Sequence, residues 1–242
     1  APASAVISTV LVNAGFVAFF RVYEVAVVSP VYEWFKHVLI LAGLISLLIA
    51  AVYLRRTNHY KRFWAYSTVE CMGVAVVALG VGGAAIFAAV LQVITHALIK
   101  SGVFVLMGQV GKIYGSYRMN RIGGYIRVHR TGAIALLLGG VSLLAFPPSA
   151  LFISEMIILR QIVQMGQWWL LVVLALLLCF VMYNLCSRVL QLCFKPVGTA
   201  LQAPRLHRSV TWCGLGLILV ASVLGIVQPP FLIEIIHAVT AF

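Results

Sequence analysis

Leu144-Ala145-Phe146-Pro147-Pro148-Ser149-Ala150-Leu151-Phe152-Ile153-Ser154-Glu155-Met156-Ile157-Ile158 is an apolar stretch that holds one carboxylate, Glu155. A charged side chain at the centre of a bilayer costs on the order of 2.5–3.5 kcal/mol even on a lenient scale, so it usually faces a polar interior. The Pro147-Pro148 pair removes two backbone donors beside that carboxylate and must interrupt the helix. Broken helices at membrane depth are tolerated where they line a cavity or pack within protein. Glu155 is therefore a candidate ion site.

The rest of the chain fits this reading. Of 242 residues, 63% are apolar and only 9% charged, and the mean hydropathy of +1.10 excludes a soluble domain with a polar surface. The expected class is an all-α integral membrane protein with about seven crossings, each of roughly 20 residues. These run from Ser4 to Phe20, Val38 to Leu54, Trp64 to Gly80, Ala84 to Gly108, Thr131 to Gln164 as one element broken at Pro147-Pro148, Trp168 to Phe194 and Val210 to Val227. No soluble domain, linker or short repeat is visible, so residues 1–242 read as a single transmembrane domain.

A net charge of +12 invites comparison with nucleic-acid binders, but its distribution argues against them. Arg55, Arg56, Lys61 and Arg62 fall between the second and third crossings. Lys112, Arg118, Arg121, Arg127 and Arg130 fall between the fourth and fifth, and Arg188, Lys195, Arg205 and Arg208 between the sixth and seventh. All three loops lie on one side, while the opposite loops carry only Arg21 and Lys36. By the positive-inside rule the basic face is cytoplasmic, the N-terminus inside and the C-terminus outside. The basic loops can meet acidic lipid or a cytoplasmic partner.

Cys71, Cys179, Cys186, Cys193 and Cys213 contain no C-x-x-C pair, so neither a zinc site nor an iron–sulfur cluster is expected, and Cys179, Cys186 and Cys193, seven residues apart on one helix face, read as packing residues. No cofactor-binding motif is present. Ala1-Pro2-Ala3-Ser4 leads directly into an apolar run with no initiator Met or basic n-region, which reads as a processed chain or part of something longer.

A second polar cluster lies on the fourth crossing. Gln92, His96 and Lys100, at i, i+4 and i+8, share one face of an otherwise apolar helix. A single polar residue there would be an interhelical hydrogen bond, whereas three in a stripe, one a lysine, read as a proton or ion path. Glu70 on the third crossing adds a second intramembrane carboxylate, and Glu and Lys neighbours that stabilise each other's charge form a switchable relay. Glu24 and Glu33, placed in a loop, and Glu234 near the end read as solvated surface. Arg160 is either a counter-ion to Glu155 or a residue snorkelling to the interface. Trp168 and Trp169 suit an interfacial belt.

Three ordered motifs carry a family resemblance. Lys61-Arg62-Phe63-Trp64-Ala65-Tyr66-Ser67-Thr68-Val69-Glu70-Cys71-Met72-Gly73 is similar to a K-R-x-x-A-Y-S-S-x-E-x-M-G segment. Thr95-His96-Ala97-Leu98-Ile99-Lys100-Ser101 is similar to a helix motif with His and Lys four apart, and Phe146 to Glu155 resembles a broken-helix motif. The chain thus resembles the antiporter-like, proton-translocating membrane subunits of respiratory complex I, multisubunit cation/proton antiporters and group 4 membrane-bound hydrogenases. Its F-P-P-x-A-L-F-I-S-E form is most similar to the hydrogenase-4 component F branch.

The resemblance implies a fold of two inverted five-helix repeats. Residues 37–194 would be the second repeat, with 1–36 and 195–242 as flanking helices. It also implies a proton relay through Glu155, Lys100, His96, Glu70 and Lys61, supported by Gln92 and Arg160. Two positions depart from the pattern: Gln92 stands where many members have a second histidine, and Cys71 where hydrogenase-type members often have one. The expected function is a non-redox membrane subunit of a hydrogenase- or complex I-like proton pump in a bacterial or archaeal inner membrane. Its expected partners are other membrane subunits, including one supplying the missing N-terminal half, together with peripheral redox subunits and lipid. The alternatives are a Na⁺/H⁺ antiporter subunit, with Glu155 and Glu70 contacting Na⁺, and a non-conducting scaffold.

Overall fold

A computed structural model describes residues 7–195 and 208–240. The expectations for Ser4 and Arg205 lie outside the described residues. The order is α1 (Ile7–Val27, opening with a π-turn over Ile7–Leu11), α2 (Tyr32–Arg56), α3 (Tyr60–Val81), α4 (Ala84–Tyr114), the short α5 (Tyr125–Val128), α6 (Arg130–Leu143), α7 (Ala150–Gln164), α8 (Trp168–Phe194), α9 (Arg208–Ile226) and α10 (Pro230–Thr240). Six of these, α1 to α4, α8 and α9, are long and apolar enough to cross a membrane. The expected broken crossing is two shorter helices, α6 and α7, of 14 and 15 residues.

In lipid each backbone polar group must be satisfied within the segment, which leaves helices as the solution for a chain this apolar. What holds them together is close approach. Along the α2–α3 hairpin, a Cβ added at Gly43 would lie 2.7 Å from the Gly73 carbonyl oxygen, and one at Gly80 would lie 2.9 Å from that of Lys36. Only residues without side chains allow backbones this near, and dispersion and polar contacts then replace the hydrophobic drive that water would supply. Gly102 and Gly214 do the same between α4 and α9. Helix α4, with 31 residues, is the hub, packing on α3, α6, α7, α9 and α10.

The break between α6 and α7 is built, not frayed. Ala145 takes a left-handed φ of 49°, Ser149 accepts a hydrogen bond from the Leu151 amide at 3.2 Å as N-cap, and the Leu144 amide reaches the Gly140 carbonyl at 3.0 Å. The backbone of Pro148 and Ala150 is covered by Gly225 of α9, where an added Cβ would collide with the Pro148 oxygen. Non-helical backbone at this depth survives because protein covers it.

Two expectations need correcting. Glu24 and Glu33 are not in a loop. Glu24 lies within α1, paired to Arg21 at 2.8 Å, and Glu33 opens α2, paired to Lys36 at 2.7 Å. The i, i+3 spacing of each pair, and for Glu33 the favourable helix N-terminus, extend these helices past the apolar run. The second concerns the other end, where one more helix follows the expected seventh crossing, which is present as α9. After Pro229 it forms α10, whose Ile236 packs with Leu91 and Ala150 and whose His237 ring lies 5.2 Å from that of Phe87.

Among the described residues, two of the basic loops and the basic C-terminal part of α8 meet at one end. The Tyr60 amide bonds the Tyr117 carbonyl and the Met119 amide the Asn58 carbonyl, both at 2.9 Å, and Arg188 donates to the Arg55 carbonyl at 2.9 Å.

Candidate functional site

The polar stripe of α4 is fully buried. Gln92, His96 and Lys100 are each 0% exposed, so none of them snorkels to an interface. Lys100 Nζ donates to the Trp64 carbonyl at 2.8 Å and to Ser67 Oγ at 2.7 Å, both on α3, and lies 5.3 Å from the Trp64 ring centroid. Its ammonium is thus held by neutral acceptors and a π-face. These bonds are charge-assisted, and the contact to the ring adds an electrostatic attraction.

Gln92 points the other way round the same face. It donates to Cys71 Sγ at 3.4 Å on α3 and accepts from Ser154 Oγ on α7, the residue next to Glu155. The two positions that depart from the motif pattern therefore touch each other. Ser154 also reaches the Leu151 carbonyl at 2.8 Å, which ties the hydroxyl to the first turn after the break. His96 sits between the Lys100 and Gln92 clusters with neither ring nitrogen hydrogen-bonded to protein, and Thr95 Oγ1 beside it is likewise without a protein partner. Buried polar groups of this kind are normally satisfied by ordered water.

Glu70, 4% exposed on α3, is within electrostatic reach of both Lys100 and Glu155. Three ionisable side chains from α3, α4 and α7 thus share one polar interior. In such a low-dielectric place a change of charge on one is felt by the others over several ångströms. Glu155 itself keeps part of its surface open.

The remaining predicted residues lie apart from this cluster. Lys61 is at the basic end, its Nζ 4.1 Å from the Tyr117 ring centroid. Arg160 is exposed and lines a cavity of ≈ 500 Å³ at the opposite end with Gln161, Gln164, Gln228 and His237. It makes no ion pair with Glu155, because five residues of helix turn it well away from that face. Sequence reading missed Ser67, Trp64 and Ser154, whose roles come from partners on other helices. It also missed Gln228 and His237, for which Pro229-Pro230 was a usable signal, since it repeats the Pro-Pro interruption at Pro147-Pro148.

The profile described as NADH:quinone oxidoreductase/Mrp antiporter, TM, matches residues 1–182. The chain belongs to this family. Within the NADH:quinone oxidoreductase/Mrp antiporter family it is 32% identical over 161 residues to a hydrogenase-4 component F homolog of Methylacidiphilum infernorum, covering 66% of this chain and 34% of the relative. It is 28% identical over 236 residues to NADH-quinone oxidoreductase subunit N of Thiobacillus denitrificans, covering 93% of this chain and 47% of the relative. The same fold occurs in the membrane-bound sulfane sulfur reductase, an archaeal respiratory membrane complex, at TM-score 0.84, 20% identity, 98% of this chain and 48% of that one. The Mrp complex from Dietzia sp. gives 0.81 at 15% identity, with 93% and 50% covered. This family member spans between about a third and half the length of these relatives.

Proposed function

We propose that the chain is a membrane subunit of a proton-translocating, hydrogenase- or complex I-like complex, and that it provides half of a proton path. One observation carries this reading: α4 presents Gln92, His96 and Lys100 on a single buried face, between α3 with Ser67 and Glu70 and α7 with Ser154 and Glu155. The unpartnered nitrogens of His96 favour a hydrated connection across the middle of that face. Glu155 exchanges protons with one side, His96 and Lys100 form the central relay, and Glu70 with Lys61 leads to the basic end. Lys61 lies about 13 Å along α3 from Glu70, so water must bridge that interval.

In this reading α6 and α7 together count as one crossing, giving seven, and residues 37–194 are the second inverted repeat. The basic end is cytoplasmic by the positive-inside rule. Other membrane subunits are the partners, the complementary first half is supplied outside these 242 residues, and peripheral subunits carry any redox chemistry.

The test is proton uptake by vesicles containing the assembled complex. Glu155→Gln keeps shape and hydrogen bonding and removes the titratable charge; Lys100→Met removes the ammonium. Both should lower uptake by about tenfold or more with subunit content unchanged. Wild-type uptake in both would leave a scaffold as the better account. The family includes antiporters by its description, which favours a second reading in which Glu155 and Glu70 contact Na⁺. Uptake that requires Na⁺ at fixed pH would select it.

A further inference from the structure

A cavity of ≈ 690 Å³ opens at the basic end, between the α2–α3 turn and the loop after α4. Arg56, Arg62 and Arg118 line it, with Asn58, His59 and Asn120 between them. Its wall is pinned: the Tyr60 and Met119 amides bond across to Tyr117 and Asn58 at 2.9 Å, and His59 and Arg118 form an antiparallel bridge. The chain has only five acidic residues, all glutamates, and none lines this cavity. Three arginines therefore line one space with no carboxylate in its lining.

His59 lines the same space. Burial first, and then the charges of Arg62, Lys61 and Arg118, hold its imidazole below the usual histidine range, and its Nδ1 is buried without a hydrogen-bond partner. Guanidinium forks with amide donors between them match a phosphate, whose several oxygens accept bonds from planar donors.

One side of the cavity is apolar. Tyr53 and Tyr66 stack there with ring centroids 4.9 Å apart and an interplanar angle of 16°. Beyond Tyr53 the face of α2 continues into the membrane through Val52, Ile49, Leu48 and Ile45, all exposed. Tyrosines at the water boundary with hydrocarbon-facing side chains beneath them mark the depth at which lipid headgroups lie. A soluble anion or an acidic peptide would make no use of that apolar face.

We propose that this cavity seats the phosphate of an anionic phospholipid, with Arg56, Arg62 and Arg118 on the headgroup and the acyl chains along the exposed face of α2.

The test is native mass spectrometry of the full chain in neutral detergent. It is titrated with phosphatidylglycerol, with phosphatidylcholine of the same acyl chains, and with glycerol phosphate as the tail-less headgroup. Phosphatidylglycerol should be retained at a concentration about tenfold lower than phosphatidylcholine, and glycerol phosphate should not displace it at equal concentration. Arg62→Gln with Arg118→Gln should weaken phosphatidylglycerol retention by about tenfold. Arg127→Gln with Arg130→Gln, the same charge change elsewhere at this end, should leave it unchanged. Arg62→Lys with Arg118→Lys, which keeps charge but loses the fork, should fall between, and this shows that a weakened Gln variant is not simply misfolded. Equal retention of the two lipids, equal loss in the control pair, or displacement by glycerol phosphate would overturn the proposal.

Discussion

Gln92 holds the centre of the site by bonding in two directions, to Cys71 on α3 and to Ser154 on α7. Leucine has nearly the same volume and none of these bonds, each worth about 1 kcal/mol. Gln92→Leu is expected to slow proton uptake by about tenfold while leaving subunit assembly intact, as read by vesicle uptake beside quantified subunit content. Unchanged uptake would confine Gln92 to packing. The stripe it belongs to was legible, because i, i+4 and i+8 spacing places Gln92, His96 and Lys100 on one face whatever the tertiary structure. Ser67 and Ser154 were not legible. A serine in an apolar helix usually bonds its own backbone, and Ser154 also reaches Leu151 in that way, so only the positions of neighbouring helices reveal the second partner.

At the scale of elements, the break before Glu155 depends on a glycine from another helix. A methyl group at Gly225 would collide with the Pro148 oxygen and the Ala150 amide, both backbone atoms that cannot step aside. Overpacking of this kind costs about 1–3 kcal/mol. Gly225→Ala should lower the thermal midpoint of the purified protein and displace Ser154 from Gln92, whereas Gly216→Ala on the same helix, where a Cβ meets nothing within 4 Å, should do neither. The interruption at Pro147-Pro148 was readable because two lost donors must break a helix. The extent of α1 and α2 was not, because their charged ends are held by the pairs Arg21–Glu24 and Glu33–Lys36 and not by apolar sequence.

For the molecule as a whole, the clustering of basic loops makes a claim about topology. A tag beside Arg118 and Arg121 is expected on the cytoplasmic side and a tag after Phe242 on the opposite side, as read by impermeant labelling of intact cells and inverted vesicles. Labelling of both from the same side would remove the odd number of crossings. That the basic loops fall on one side was read from charge counting alone. Their mutual attachment through Tyr60–Tyr117 and Met119–Asn58 was not, because backbone bonds between loops leave no periodic signal.

The length of α4 ties its stripe to the bilayer. At 31 residues it is about 46 Å long against a hydrocarbon core of about 30 Å, while α3, with 22 residues, comes close to matching that core. Thickness therefore acts unequally on the two helices that share Lys100: α4 can tilt or protrude to absorb a mismatch, and α3 cannot. Lys100 grips Trp64 and Ser67 across that same contact, so any change in tilt shifts donor against acceptor. Proton uptake should pass through an optimum as acyl length is varied in reconstituted vesicles. The membrane's thickness would then set the conductance, with no ligand involved.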